Sequence, residues 1–358
     1  MRKQPLRILP LLCTILLLAA CGAVPVRSPE TTWVTEETTA PELPQTEAPE
    51  PAPERFLLTF VGDCTFGTHP GNYNADTGFV KMVGQDYAYP FANVIAYFRE
   101  DSCSFVNLEG PLCEDGVSVV KKHVFRGPRS FVNILTENSV EAVSIANNHT
   151  LDYGTRGYAE TRETLEEAGI PYVEQDSVCV FTTEDGLRIG LYGAVYDRMD
   201  RQRILEGIRD LARQDVDLVI FAPHWGYEGS FVPNREQVEL GRGAIEAGAD
   251  IVWGSHPHVL QPVENWEDGI IFYSLGNFSF GGNGKPGDFD TAILRQEVFR
   301  DAQGKITLGQ TERIPASVSS NARWNDFRPT LYEPGSEAYD RVLAKLSGTW
   351  KQSSIKIG

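Results

Sequence analysis

From residue 56 onward the chain alternates short apolar runs with stretches of helical periodicity. Residues 56–61, 103–108, 142–146, 188–193, 218–222 and 251–253 read as strands, each bounded by Gly, Pro, Asn or Asp within a few positions. Residues 259–263, 270–274 and 291–299 predict further strands. Helical spacing appears at 91–98, 158–168, 204–213 and 235–247, and Gly169 and Gly248 stand where two of these helices must stop. Strands interleaved with helices predict an α/β layered domain, richer in strands toward its C-terminal half. With 41% hydrophobic residues in 358, the chain can bury a core, so disorder along the whole length is excluded. No period of about 20 to 50 residues is visible, which excludes solenoids and propellers.

The N-terminus departs from this pattern. Arg2, Lys3 and Arg7 precede an apolar run at 8–20, followed by Cys21 and Gly22, the layout of a secretory signal. Leu18-Ala19-Ala20-Cys21 resembles a bacterial lipobox, which predicts removal of residues 1–20 and lipidation of Cys21. An uncleaved anchor is the alternative, although the run is shorter than the ~20 residues a span needs. Both readings tether the protein to the membrane, outside the cytoplasm. Residues 23–54 hold seven Pro, seven Glu and six Thr. Such a composition cannot bury enough surface to offset its ordering entropy, so 21–54 reads as a disordered linker, 55–350 as the globular domain and 351–358 as a tail.

Charge narrows the partners. The chain has 32 Lys and Arg against 49 Asp and Glu, a formal net charge of −17. Loss of the three positive charges in residues 1–20 takes the mature protein to −20. Nucleic acid is excluded as a non-specific partner, and so is an anionic membrane surface. Cys64, Cys103, Cys113 and Cys179 match neither a zinc ribbon nor a CxxC pair. A Cys103–Cys113 disulfide and buried free thiols both remain open.

Five of the predicted strands end in the same way. Residues 57–61 run into Gly62-Asp63, 105–106 into Asn107-Leu108-Glu109, and 143–146 into Asn147-Asn148-His149. Residues 218–222 run into Pro223-His224, and 251–253 into Gly254-Ser255-His256-Pro257-His258. The carboxyl edge of an α/β sheet is where loops converge on a ligand. Carboxylate and amide oxygens together with imidazoles suit Mn²⁺, Fe or Zn²⁺, and the absence of Cys disfavours a structural zinc site. Taken singly, Asp63 could close a turn, Glu109 could be a solvated loop acid, and Asn147-Asn148 could be a turn. His256 and His258 flank a proline expected to keep the backbone extended and both rings on one side. A basic island, Lys121-Lys122-His123-Val124-Phe125-Arg126, reads either as a solvated strand edge or as an anion pocket beside the metal.

The motifs GDCTFG (62–67), VNLEGPL (106–112), FRGP (125–128), SIANNHTLDYG (144–154), HWGYE (224–228), GSHPHVLQPVE (254–264) and YSLGNFSF (273–280) resemble the CapA family of poly-γ-glutamate capsule biosynthesis proteins. The likeness runs in order over roughly residues 56–346. That family is similar to the calcineurin-like metallophosphoesterases, which implies a four-layer α/β/β/α sandwich and one or two divalent metal ions. By this resemblance Asp63 and His258 bind the first ion, Glu109 bridges, and Asn148, His224 and His256 bind the second. His149 stands where the phosphoesterases keep their leaving-group acid, and Lys122 and Arg126 are the candidate substrate contacts. The sequence departs from the pattern at Thr65, where an imidazole is usual, and at Glu109, where an aspartate is usual. The implied role is a metal-dependent hydrolase acting on an anionic envelope polymer, in synthesis, export or anchoring. The alternative is a non-catalytic component that binds the polymer or a membrane synthase through the same cleft.

Overall fold

Side chains of β1 (Glu54–Thr65) are shared between two cores. Phe56, Leu58 and Phe60 enter one, while Val61 and Cys64 enter the other. The structure, a computed structural model, describes residues 52–195 and 200–351. It places β1 inside an eight-stranded sheet, with β2 (Cys103–Leu108), β3 (Ala142–Ser144) and β4 (Tyr172–Val173) following in parallel on one side. A six-stranded sheet comes next, built from β5 (Ser177–Thr182), β6 (Arg188–Val195), β7 (Leu218–His224), β8 (Ile251–Trp253), β9 (Val263–Trp266) and β10 (Gly269–Phe272). Its order is β5-β6-β7-β8-β10-β9, with β6, β7, β8 and β10 parallel. The chain then returns to the first sheet with β11 (Asn277–Phe280), β12 (Asp290–Arg300), β13 (Ile306–Ser317) and β14 (Thr330–Leu331). There β11 pairs with β1, and β12, β13 and β14 extend the sheet antiparallel.

The helices cover the outer faces. Phe79 and Val83 of α1 (Phe79–Val83), Phe98 of α2 (Ala96–Arg99), Ile134 and Leu135 of α3 (Val132–Glu137) and Leu165 of α4 (Gly154–Glu167) share a core with Val61, Val106 and Val143 of the first sheet. Ile204, Ile208 and Leu211 of α5 (Arg201–Ala212), with Leu240 and Ala244 of α6 (Arg235–Glu246), pack on Phe221, Val252 and Ile271 of the second. A third core lies between the sheets, and Val342 and Leu346 of α7 (Glu337–Leu346) close it. Within it Phe60 stacks on Phe105 at 4.8 Å, and Trp253 of the other sheet donates from Nε1 to the Val61 carbonyl at 2.9 Å. Each such buried aromatic contributes about 2 to 3 kcal/mol from area alone. The result is the expected α/β/β/α sandwich.

Most predicted elements lie on observed ones with shifted ends, and two do not. Residues 259–263 form no strand: Leu260 makes an isolated bridge to Leu275, and β9 starts only at Val263. Residues 91–98 are not one helix, since a 3₁₀ turn opened by Pro90 (Tyr89–Phe91) precedes the short α2. The four cysteines among the described residues are free thiols, with Cys103 in the inter-sheet core and Cys113 beside Val124 and Tyr153. No helix among the described residues is long and apolar enough to cross a membrane. The predicted signal segment with Cys21, the linker up to residue 51 and the last seven residues of the tail lie outside the described residues.

Candidate metal centre

The strand carrying Asp63 does not stop before it. The pairing of β1 with β2 shifts register between Phe60 and Asp63, a bulge that re-aims the acid. Gly62 permits this: a Cβ there would lie 1.9 Å from the Gly276 carbonyl, to which Asp63 N donates at 2.8 Å. Asp63 Oδ1 accepts from Asn107 Nδ2 at 2.8 Å, and Oδ2 lies 3.0 Å from His258 Nδ1. Glu109, just past β2, is completely buried, and both of its carboxylate oxygens lack a hydrogen-bond partner. Around Oε1 stand the Nε2 atoms of His149 at 3.8 Å, His224 at 3.9 Å and His258 at 3.8 Å.

The third and fourth strand ends meet the first two. Asn147, past β3, donates from Nδ2 to the Leu108 carbonyl at 2.9 Å and accepts at Oδ1 from His149 N, which ties this loop to the β2 loop. The neighbouring Asn148 places Oδ1 3.1 Å from His224 Nε2, while His224 Nδ1 lies 2.9 Å from Ser255 Oγ. That hydroxyl fixes the ring so that Nε2 faces inward. His149 is clamped in the same manner, with Nδ1 2.7 Å from Asp152 Oδ2; Asp152 also accepts from Phe125 N and pairs with Lys121 Nζ at 2.7 Å.

The His256-Pro257-His258 segment differs from expectation. His256 has φ 98° and His258 φ 56°, so the backbone is not extended there. Both side chains still reach the centre by way of this turn, which holds two L-residues in the left-handed half of φ, a cost of about 1 to 3 kcal/mol each. The rings of His224 and His256 lie 4.6 Å apart, and those of His256 and His258 5.9 Å apart. His258 Nδ1 also lies 2.9 Å from Asn277 Oδ1 of β11.

Electrostatics favour a cation at this point. Burial lifts the Glu109 carboxyl to about 8; His258 pulls it down while Asp63 and Glu228 push it further up. Burial opposes charge on His258, yet Glu109 when ionised and the Asp63 carboxylate beside Nδ1 outweigh it and raise the imidazole above its usual range, so Glu109 and His258 titrate as a pair. Burial lowers His149, with Asp152 opposing. Two orphaned oxygens inside a ring of imidazole nitrogens are a donor set that fits a divalent cation, since burying them otherwise carries an uncompensated cost. Asp63, Glu109 and His258 bring their donor atoms within 4.8 Å of one another.

The predicted basic contacts are placed differently. A cleft of about 590 Å³ opens beside His149 and His258, lined also by His123, Phe125, Glu228, Phe231 and Phe280, among others. Neither Lys122 nor Arg126 lines it. Lys122 is exposed, and the Arg126 guanidinium is drawn away by the rings of Tyr73 and Tyr153, 5.4 and 4.8 Å from its carbon. Sequence reasoning passed over Asp152, Asn107, Asn277 and Glu228. The three-residue spacing from His149 to Asp152 was the available signal for the first. Glu228 closes the HWGYE motif, and its carboxylate lies with His256 and His258 in a second set of donors mutually within 4.8 Å.

Residues 57–282 match the family model described as bacterial capsule synthesis protein PGA_cap. The chain belongs to this family. The matched segment of this capsule synthesis family member contains every donor described above. Over 260 residues it is 31% identical to the capsule biosynthesis protein CapA of Bacillus anthracis, covering 63% of this chain and 60% of that protein. It is 26% identical over 290 residues to the PGA biosynthesis protein CapA of Bacillus subtilis (strain 168), covering 74% of each. The chain thus spans less than two thirds of the length of the first of these relatives. Among solved structures, the NAD nucleotidase of Haemophilus influenzae is similar with a TM-score of 0.40 and 11% identity, covering 82% of this chain and 62% of that one. TT1561 of Thermus thermophilus has a TM-score of 0.40 and 11% identity, covering 72% of this chain and 99% of that one.

Proposed function

We propose that this protein is a membrane-tethered, metal-dependent hydrolase of phosphoesterase type, serving the synthesis, export or anchoring of an anionic envelope polymer such as poly-γ-glutamate. The observation that carries the reading is Glu109, sealed from solvent with two unpartnered oxygens and three imidazoles facing one of them. Asp63, Glu109 and His258 would hold one divalent cation, and Asn148, His224 and His256 with Glu109 a second. Mn²⁺, Fe or Zn²⁺ suits these donors, and such a cation supplies Lewis acidity and draws the pKa of water toward neutrality.

The chain's own residues do the rest. The Asp152 carboxylate accepts from His149 Nδ1, which turns Nε2 toward the centre and favours the imidazolium, the form that would hand its Nε2 proton to a departing oxygen. His123 and the aromatic rings of Phe125 and Phe280 line the approach. The capsule-related names of the relatives support the polymer assignment, and the lipobox at Cys21 supports placement at the outer face of the membrane beside a polymer synthase.

The test uses the purified full-length chain, with bound metal measured and phosphomonoesters, phosphodiesters and γ-glutamyl amides screened. The expected result is about one or two equivalents of metal and turnover that falls about 10²- to 10⁴-fold in His149→Ala with metal retained. Folded protein that takes up no metal would overturn the proposal. Thr65 favours a second reading, a non-catalytic polymer-binding or scaffolding component. It is buried with its hydroxyl unpartnered, and it offers no imidazole to the centre. Polymer production unchanged by His149→Ala would support that second reading.

A further inference from the structure

The two donor sets of the centre share His258 and differ in depth. Asp63 and Glu109 are buried, whereas Glu228 is exposed at the mouth of the cleft. Glu228 sits on the loop that follows β7, and this loop is tied to the histidine turn. Gly229 N donates to the Pro257 carbonyl at 2.8 Å, Trp225 N to the Ser255 carbonyl at 3.1 Å, and Gln261 Nε2 to the Ser230 carbonyl at 2.8 Å. Gly226 and Gly229 take φ of 84° and 74°, and a Cβ at Gly226 would run into the side chain of Gln237. Two left-handed glycines and three cross-loop bonds therefore hold the backbone around Glu228 beside the two imidazoles.

No salt bridge occupies this carboxylate among the described residues, although the chain carries arginines and lysines enough to provide one. Donors sharing one ion lie about 3 to 4.5 Å apart when each bond is about 2.0 to 2.2 Å, and this set falls near that range. A bare carboxylate at the mouth of a cleft meant for an anionic substrate would repel it, and a ligated one would not.

Resting on the proposed metal-dependent reading, we infer that Glu228 is a further carboxylate donor to the second cation, joining His256 at the cleft mouth, while His258 stays with the first. Asp63 and Glu109, both buried, with the half-buried His258 would hold the inner one. An ion so exposed keeps coordination positions open to a phosphate or carboxylate group of the substrate.

The experiment is a Mn²⁺ titration of the full-length chain followed by calorimetry and by the electron paramagnetic resonance of bound Mn²⁺, in wild type, Glu228→Gln and Glu228→Asp. The wild type is expected to bind two ions. Glu228→Gln should keep the tighter ion with unchanged affinity and bind the weaker one about tenfold or more less tightly, and Glu228→Asp should fall between. Equal melting temperatures in EDTA would show that the exposed substitution leaves the fold intact. Two ions bound by Glu228→Gln with wild-type affinities would overturn the inference while leaving the hydrolase reading standing. A single wild-type ion indifferent to the substitution would do the same. A wild type that binds no Mn²⁺ would overturn both.

Discussion

Glu109→Gln separates the cost of building this centre from its use. A carboxyl with an ordinary value of 4.5 that burial lifts to about 8 keeps its proton at pH 7 when folded and has released it when unfolded. Between those two values the unfolded state binds fewer protons, so stability falls as pH rises from about 4.5 to about 8, by about 3 kcal/mol at pH 7. Glutamine removes that linkage and leaves an amide whose own unpartnered atoms cost about 1 kcal/mol, for a net gain near 2 kcal/mol. For a domain of roughly 300 residues this raises the melting temperature by about 3 to 4 °C. The assay is scanning calorimetry in EDTA and in Mn²⁺. In EDTA the variant should melt above the wild type. In Mn²⁺ the order should reverse, because ligand at about 100 times its Kd adds about 2.7 kcal/mol to a protein that binds it. A variant that melts several degrees lower in EDTA, as an ordinary core substitution does, and keeps its Mn²⁺ shift would refute the argument.

Asp152→Asn should lower turnover about 10²-fold at unchanged metal content, because an amide oxygen in place of Oδ2 still accepts from Phe125 N and His149 Nδ1 but no longer supplies the negative charge that favours the His149 imidazolium. Parallel loss of metal in the assay would contradict a role confined to His149. At the opposite end of the strands, burial raises the Glu141 carboxyl to about 7, while its Oε2 accepts from Ser104 N at 2.7 Å. A raised carboxyl costs stability as pH climbs from 4.5 through 7, so Glu141→Gln should gain on the wild type between pH 5 and pH 8. The gain is about 1 to 2 kcal/mol after allowance for partial exposure. Urea midpoints at the two pH values measure it, and a pH-independent difference would dispose of the idea.

The centre was legible where chemistry coincided with strand ends. Asp63, Glu109, Asn148, His224, His256 and His258 each follow or finish an apolar run, and parallel pairing brings those ends together. Conformation was less legible. The bulge that turns Asp63 depends on Gly276, more than two hundred positions away, and the positive φ of His256 runs against the extended geometry that its following Pro257 favours. Arg126 looked like an anion contact because the neighbouring positions are basic, but Tyr73 and Tyr153, distant in sequence, claim its guanidinium. The alternating exposure of β13 let that strand pass unrecognised, since its first eight residues bury no position fully.

The two sheets divide the donor atoms by element. In the proposed centre the first would contribute oxygen through Asp63, Glu109 and Asn148, and the second nitrogen through His224, His256 and His258, with Glu228 as the exception. Hard and borderline ligand character therefore reside on separate layers of the sandwich. On the proposed ligation, loop changes on one layer would shift preference between an oxygen-loving ion such as Mn²⁺ and a nitrogen-loving one such as Zn²⁺ while the other layer stays as it is.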